Sequence, residues 1–477
     1  MNLPQAFINQ IQPILGAETA DFLQALQTES PVSIRLNDKV QSAMTDTVKW
    51  CETGFYLPER PLFTADPLFH AGAYYVQEAS SMFVEQAVKQ HINEPVRMLD
   101  LCAAPGGKST HLSSLLPAGS LLVSNEIIRS RAYILAENLI KWGNANVVVT
   151  NNEPKDFSGL QSFFDAVLVD APCSGEGMFR KDEGAIAEWS PDNVRKCAER
   201  QRDILTAVWS ALKTDGILIY STCTYNRAEN EENVQWIIRE LGAELLQIRI
   251  DEAWGITASD FGYRFYPHKT RGEGFFLSVL RKTESPHCGL DPVSFRHCGL
   301  DPQTPASFCH CGLDPQTHRK QGKKGIAGHT STALSNQTRN DELKNQLKNP
   351  NNWTISIDGN KISALPKDRV EDIDYLRKRL NIMHAGIPLA EQKGKDFIPE
   401  AALALSKNID LLQVNTFEAD LPTALRFLQR EAIETPDAPR GYLLIMYQGL
   451  PLGWVKNLGN RANNLYPNEW RIRMRLT

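Results

Sequence analysis

Apolar and polar positions alternate most regularly between residues 96 and 280. A short apolar run at 96–101 reads as a strand, stops at Cys-Ala-Ala-Pro-Gly-Gly-Lys (Cys102 to Lys108), and leads into a helical pattern over 109–116. Further strands are predicted at 121–125, 147–150, 164–169 and 217–220, helices at 131–142 and 194–212, and a late strand closing the sheet at 275–280. This alternation predicts an α/β core with an open, mostly parallel, doubly wound, Rossmann-like sheet. Ligands of such sheets sit beyond the carboxyl ends of the strands, so the loops after the first, second, fourth and fifth strands should line one site.

Composition changes the picture little. A chain of 477 residues is too long for one ordinary core, and its 42% hydrophobic and 22% charged residues fit a soluble globular protein. No apolar run approaches the roughly 20 residues that span a bilayer, and the start lacks a basic-then-apolar leader pattern, so the expected address is the cytoplasm. There the nine cysteines should stay reduced. A net charge of −5 does not mark a nucleic-acid binder. Near the C-terminus, however, Lys456, Arg461, Arg471, Arg473 and Arg475 are opposed only by Glu469 and interleaved with Trp454, Tyr466 and Trp470. That segment is either a surface for phosphates and stacked bases or a solvated face over ordinary core aromatics.

The loops carry the chemistry. Gly106 and Gly107 remove side chains where a backbone must approach a ligand, and the helix that follows offers free N–H groups. Glu126, 20 residues past Gly106 at the end of the second strand, suits ribose hydroxyls and implies a nucleoside-containing cofactor. Gly-x-Gly-x-x-Gly is absent, and a P-loop would need glycine where Cys102 stands. A structural turn without a ligand stays open on the glycines alone.

Two thiols fall in the same crevice, in Asp170-Ala171-Pro172-Cys173 and in Ser221-Thr222-Cys223-Thr224. A lone cysteine is usually packing; two at adjacent strand ends point to chemistry. A helix is predicted from near Arg227, with Asn226 as N-cap and Glu229 closing a capping box, so that its N-terminus favours thiolate at Cys223. In a methyltransferase such a thiolate has a clear use. Cytosine C5 is too electron-poor to attack a methyl sulfonium, and addition of sulfur to C6 makes C5 an enamine carbon that can. The C5 proton must then be lost and the thiolate expelled, where Cys173 is placed to assist. Asp170 suits the N3 and amino edge of the ring, and Lys108 could orient it.

At these residues the chain resembles the RNA cytosine-C5 methyltransferases named for the nucleolar Nop and Sun proteins. The likeness includes Tyr75 to Met82, Cys102 to Lys108, Asp170 to Gly177, Tyr220 to Thr224 and Gly272 to Phe276. The resemblance implies a class I methyltransferase core in which Cys102, Ala103, Ala104, Pro105, Gly106, Gly107 and Lys108 wrap S-adenosylmethionine. It implies further that Glu126 holds the cofactor's ribose, Asp170 touches its edge, Cys223 is the nucleophile and Cys173 aids release. Where relatives often carry Asp near the adenine, this chain has Glu153, between Asn152 and Pro154. Cytosine methyltransferases acting on DNA also carry Glu-Asn-Val, present here at Glu232-Asn233-Val234, but they attack with the Pro-Cys thiol; here the tripeptide follows Cys223 and is expected on a solvated helix face.

The flanks look like those of bacterial small-subunit rRNA methyltransferases of that family, with a strand at 32–37 near the N-terminus and a PUA-like pattern from Gly449 to Pro467. The expected division is an N-terminal α+β RNA-binding extension at 1–70, the core at 71–283, a linker at 284–348, a small α+β domain at 349–420 and a PUA-like RNA-binding module at 421–477. The implied partner is RNA, as rRNA or the small ribosomal subunit, with no DNA, no membrane and a monomeric enzyme. The same chemistry on tRNA, or a non-catalytic assembly factor, are the alternatives. His-Cys-Gly-Leu-Asp-Pro recurs at His287, His297 and His310, yet without a Cys-x-x-Cys knuckle and amid Ser, Thr, Gln, Lys and Gly. That predicts a disordered linker with no metal.

Overall fold

The computed structural model describes residues 2–284 and 341–474. The three repeats and Arg475 lie outside those residues. Five parallel strands form the heart of the main sheet: β1 (Arg97–Asp100), β2 (Leu121–Asn125), β3 (Val147–Thr150), β4 (Phe164–Asp170) and β5 (Leu212–Thr222). Their order is β5-β4-β1-β2-β3, which places the topological switch between β4 and β1. β6 (Phe275–Lys282) runs antiparallel beside β5 and is followed outward by Gly262–Phe265 and Thr257–Ser259. The interior strands are apolar on both faces because helices cover both. Among them are α1 (Gly107–Leu115), α2 (Arg129–Trp142) and α3 (Pro191–Trp209), which Ser190 caps through the Asn193 amide.

The far edge of the sheet is closed by β7 (Ile382–Ala385), antiparallel to β3. The expected division puts these residues in a separate small domain, yet Ile373, Leu376, Leu380 and Ala385 are buried with Val148 and Val167 in one core. Apolar spacing around 382 is too short to say which sheet receives it; the choice is tertiary. The remainder of that segment forms a four-stranded sheet, Trp353–Asp358, Lys361–Pro366, Ile387–Lys393 and Asp396–Pro399. A second four-stranded sheet begins at Thr416–Glu418, ahead of the expected boundary at 421, because that strand pairs in parallel with Gly441–Tyr447. The expected linker also ends early: Leu343 and Leu347 are buried against Ile409 and Trp353.

The N-terminal extension packs against the core. Phe7 and Phe22, from helices Gln5–Leu15 and Thr19–Ala25, share an aromatic cluster with Phe179, Trp189, Tyr225 and Tyr266. Its antiparallel sheet, Gly54–Leu57, Val32–Leu36 and Tyr74–Val76, supplies Arg35, which is wholly buried and donates to Gln77 Oε1 and Thr110 Oγ1 on α1. Lys39 joins three parts of the chain: its ammonium donates to the carbonyls of Ala71, Lys141 and Leu405 at 3.1, 2.8 and 3.0 Å. Lys39→Ala leaves those carbonyls to water or to nothing, and is expected to lower stability by about 2 kcal/mol. The urea midpoint reads this; an unchanged midpoint would mean that the clamp adds nothing.

Two of the three C-terminal aromatics resolve in favour of packing, while Trp470 stays partly exposed. Trp454 and Tyr466 are buried, Trp454 Nε1 donates to the Glu400 carbonyl, and Lys456 pairs with Asp396. Rings held in this way cannot stack on bases. Among the described residues no helix is long and apolar enough to cross a membrane.

Candidate active site

The site assembles at the carboxyl ends of β1, β2, β4 and β5. The run from Cys102 to Lys108 leaves β1 and turns into α1 through Gly106, whose φ of +116° favours a residue without a side chain. The turn is pinned from α2, where Arg131 donates to the Ala104 carbonyl and Asn138 to that of Pro105. Burial pushes the Cys102 thiol up, which suits a packed wall and not a reactive group. Glu126 directly follows β2 with its carboxylate almost buried, accepting from the Ile128 amide at 2.9 Å, with Arg131 3.5 Å away.

Asp100, unremarked in the sequence, is wholly buried at the end of β1. Ser109 donates to its Oδ2 at 2.7 Å, while its Oδ1 has no partner among the described residues. Burial pushes this carboxyl up to about 7, with Ser109 opposing the shift. A bare buried oxygen beside a glycine turn fits the ammonium of an amino-acid-bearing cofactor.

Asp170 ends β4 with both oxygens engaged. Lys108 Nζ donates to Oδ2 at 2.8 Å and Ser221 Oγ to Oδ1 at 2.7 Å. The lysine is buried, which works against its charge, but the Asp170 carboxylate more than compensates and holds its pKa above the usual value. The carboxylate is thus fixed in orientation, as a group must be if it is to read a ring edge.

The two thiols meet. Cys173 Sγ and Cys223 Sγ lie 3.1 Å apart, both free, and the Cys223 amide points at Cys173 Sγ at 3.3 Å. The bond shared with Cys223, and burial after it, push the Cys173 thiol well above the usual range, so it rests protonated. Behind the pair, the Gly177 amide donates to the Cys223 carbonyl at 2.8 Å. A Cβ on Gly177 would stand 2.3 Å from the Gly274 carbonyl oxygen, so only glycine lets these loops close. Glu176 is buried and accepts from the Tyr225 amide and from Trp189 Nε1, each at 3.0 Å.

The segment after Cys223 differs from expectation. The helix, α4, spans Glu231–Trp236 with Asn230 at its N-cap position, so its N-terminus lies eight residues beyond Cys223. The cause is local. Asn226 accepts from the Ala228 amide in a turn, Asn230 is bound to Thr222 and to the Thr224 carbonyl, and Glu229 points inward to Ser174. The helix dipole is too far away to act on Cys223. Nor is the Glu-Asn-Val tripeptide a solvated face: Glu232 is exposed, but Asn233 and Val234 are buried, with Asn233 bonded to Gln201 and Arg202.

Glu153 stands apart from these groups. It caps the turn Pro154–Gly159 and its carboxylate pairs with Lys155 at 2.6 Å. Sequence reasoning missed Asp100, Ser221 as a partner of Asp170, and the inward turn of Glu229. The first left a signal, an acid closing an apolar strand; the other two depend on side chains more than 50 residues apart in the chain meeting in space.

Three stretches of the chain match known families: residues 3–79 the N-terminal domain of 16S rRNA methyltransferase RsmF, 87–281 the 16S rRNA methyltransferase RsmB/F family, and 414–472 the methyltransferase RsmF PUA domain. The chain is 31% identical to the ribosomal RNA small subunit methyltransferase F of Erwinia tasmaniensis, over 98% of this chain and 96% of that one. The protein of the same name from Klebsiella pneumoniae is also 31% identical, with the same coverage. Among solved structures, a methyltransferase homolog from Pyrococcus horikoshii superimposes with a TM-score of 0.51 at 27% identity, covering 58% of this chain and 95% of that one.

Proposed function

The chain belongs to the RsmB/F family of 16S rRNA methyltransferases and draws its methyl group from S-adenosylmethionine; from that premise we propose that it methylates C5 of a cytosine in 16S rRNA through a covalent bond from Cys223 to C6. The observation that carries this reading is the pair of free thiols 3.1 Å apart, at the ends of adjacent strands, beside a carboxylate fixed by Lys108.

When bound, the cofactor supplies an electrophilic methyl group. The turn from Cys102 to Lys108, Glu126 and the bare oxygen of Asp100 are the groups to hold it, and its positive charge would keep Asp100 ionised. Glu153, engaged with Lys155, would act there only through its backbone. Asp170, locked by Lys108 and Ser221, accepts from the amino group of cytosine, and the Lys108 ammonium that it holds offsets the negative charge that develops on the ring as the Cys223 thiolate, its proton released to solvent, adds to C6. Cys173, protonated at rest, gives the Cys223 sulfur a hydrogen-bond donor. Once C5 carries the methyl group, its proton passes to solvent, the C6–S bond breaks with its electrons returning to Cys223, and the Cys173 S–H stabilises the departing thiolate. A neutral thiol in this role is an acid, which refines the part that the sequence suggested for it.

The test is chemical. Labelled methyl groups transferred to 16S rRNA or to small subunits should appear, after nuclease digestion, as 5-methylcytidine; label in another nucleoside, or in tRNA alone, would overturn the proposal. Glu126→Ala, by removing charged hydrogen bonds to the ribose, is expected to raise the KM for cofactor about 10- to 100-fold with little change in the KM for RNA. An unchanged cofactor KM would take Glu126 out of the site.

A further inference from the structure

Glu229 lies outside the reacting groups, yet it is wholly buried, and among the described residues no cation touches it. Isolated carboxylates are costly to bury, so its surroundings must justify it. Its Oε2 accepts from the Ser174 amide and from Gln201 Nε2, both at 2.9 Å, and its Oε1 accepts from Ser174 Oγ at 2.5 Å. Gln201, on α3, also donates to the Pro172 carbonyl at 3.1 Å. The peptide units on both sides of Cys173 are therefore gripped by one pair, Pro172 by Gln201 and Ser174 by Glu229.

The same pair is anchored to the strand that ends at the nucleophile. Tyr220, on β5, donates its one hydroxyl proton to the Glu229 carbonyl, 2.6 Å away, with Gln201 Oε1 2.9 Å from the same oxygen, and Ser174 Oγ lies 3.0 Å from Thr224 Oγ1, next to Cys223. Burial pushes the Glu229 carboxyl up to about 7 against the opposing bonds from Ser174, and its charge helps to keep the Cys173 thiol protonated. Such a buried, fully satisfied network fixes one geometry and tolerates only a substitute that keeps its acceptor to the Ser174 amide.

Resting on the reading that Cys223 attacks and Cys173 aids release, we propose that Glu229 is the positioning residue for Cys173, and that with Gln201 it sets the rate at which the enzyme–RNA adduct breaks down. Loss of the grip lets the Cys173 sulfur drift from Cys223; a misplacement near 1 Å is enough to cost on the order of 10- to 100-fold in a positioned step.

Full-length Glu229→Ala, Glu229→Gln and Gln201→Ala variants are compared with wild type, Cys173→Ala and Cys223→Ala, using 16S rRNA and the cofactor. Glu229→Ala should lower kcat and the KM for RNA together, each about 10-fold, leaving kcat/KM nearly unchanged, and accumulate an SDS-stable protein–RNA adduct at least about 5-fold over wild type. Gln201→Ala should do the same more weakly. Glu229→Gln, which can still accept from the Ser174 amide, should recover most of the rate, and adding Glu229→Ala to Cys173→Ala should change nothing further. If Glu229→Ala stays folded by thermal melt and releases product at the wild-type rate, or if its effect adds to that of Cys173→Ala, the positioning role is wrong. If Glu229→Ala does not fold, Glu229→Gln and Gln201→Ala decide: wild-type adduct levels in Gln201→Ala reject the role, and a raised level supports it. Methylation surviving in Cys223→Ala would instead strike at the underlying reading.

Discussion

Replacing Cys223 with alanine is expected to reduce methyl transfer by more than about 10^3-fold, below detection in a labelled-methyl assay, because no other step makes C5 nucleophilic. Cys173, the thiol in contact with Cys223, is not expected to stand in. It is held protonated, and Glu229 and Gln201 fix its backbone for a different task. RNA affinity and cofactor affinity should be little altered, since a single thiol adds small contact area. Stability should stay within about 1 kcal/mol of wild type, because the one donor left without its acceptor, the Cys173 S–H, is a weak one. A variant keeping a tenth of the wild-type rate would end the covalent mechanism.

Cys173→Ala should fail at the opposite end of the reaction. In the proposed mechanism addition and methyl transfer use Cys223 and the bound cofactor, so the first turnover should proceed, while expulsion of the thiolate should lose the donor that lay 3.1 Å from it. The expected result is about one methyl group per enzyme followed by arrest, with an SDS-stable adduct that Cys173→Ala/Cys223→Ala does not form. Sustained turnover without an adduct would assign release to water or to the RNA, and Cys173 would be packing.

Much of the site was legible because it follows from topology. Once 96–101 and 164–169 read as parallel strands with intervening helices, Cys102 to Lys108, Asp170 and Cys223 had to share one crevice, whatever the details of packing. The segment after Cys223 misled for a physical reason. Asn226 with Glu229 three residues on has the spacing of a capping box, and local hydrogen bonds alone would start a helix there. Ser174, on another loop, offers Glu229 an amide and a hydroxyl together, and that tertiary bid wins. Sequence left the C-terminal aromatics open, since Trp454 and Tyr466 among cations suit nucleic acid as well as they suit a core, and their burial decides for the core.

By itself the sequence determined the alternation of strands and helices, the loops that carry chemistry and the residue types in them, because periodicity and turn residues act over a few positions. Only the tertiary structure decided that the thiols stand 3.1 Å apart, that β7 closes the core sheet and that Glu229 faces Ser174. Each of those depends on groups distant in the chain meeting in a buried place, where an unpaired polar atom costs too much for local preference to prevail.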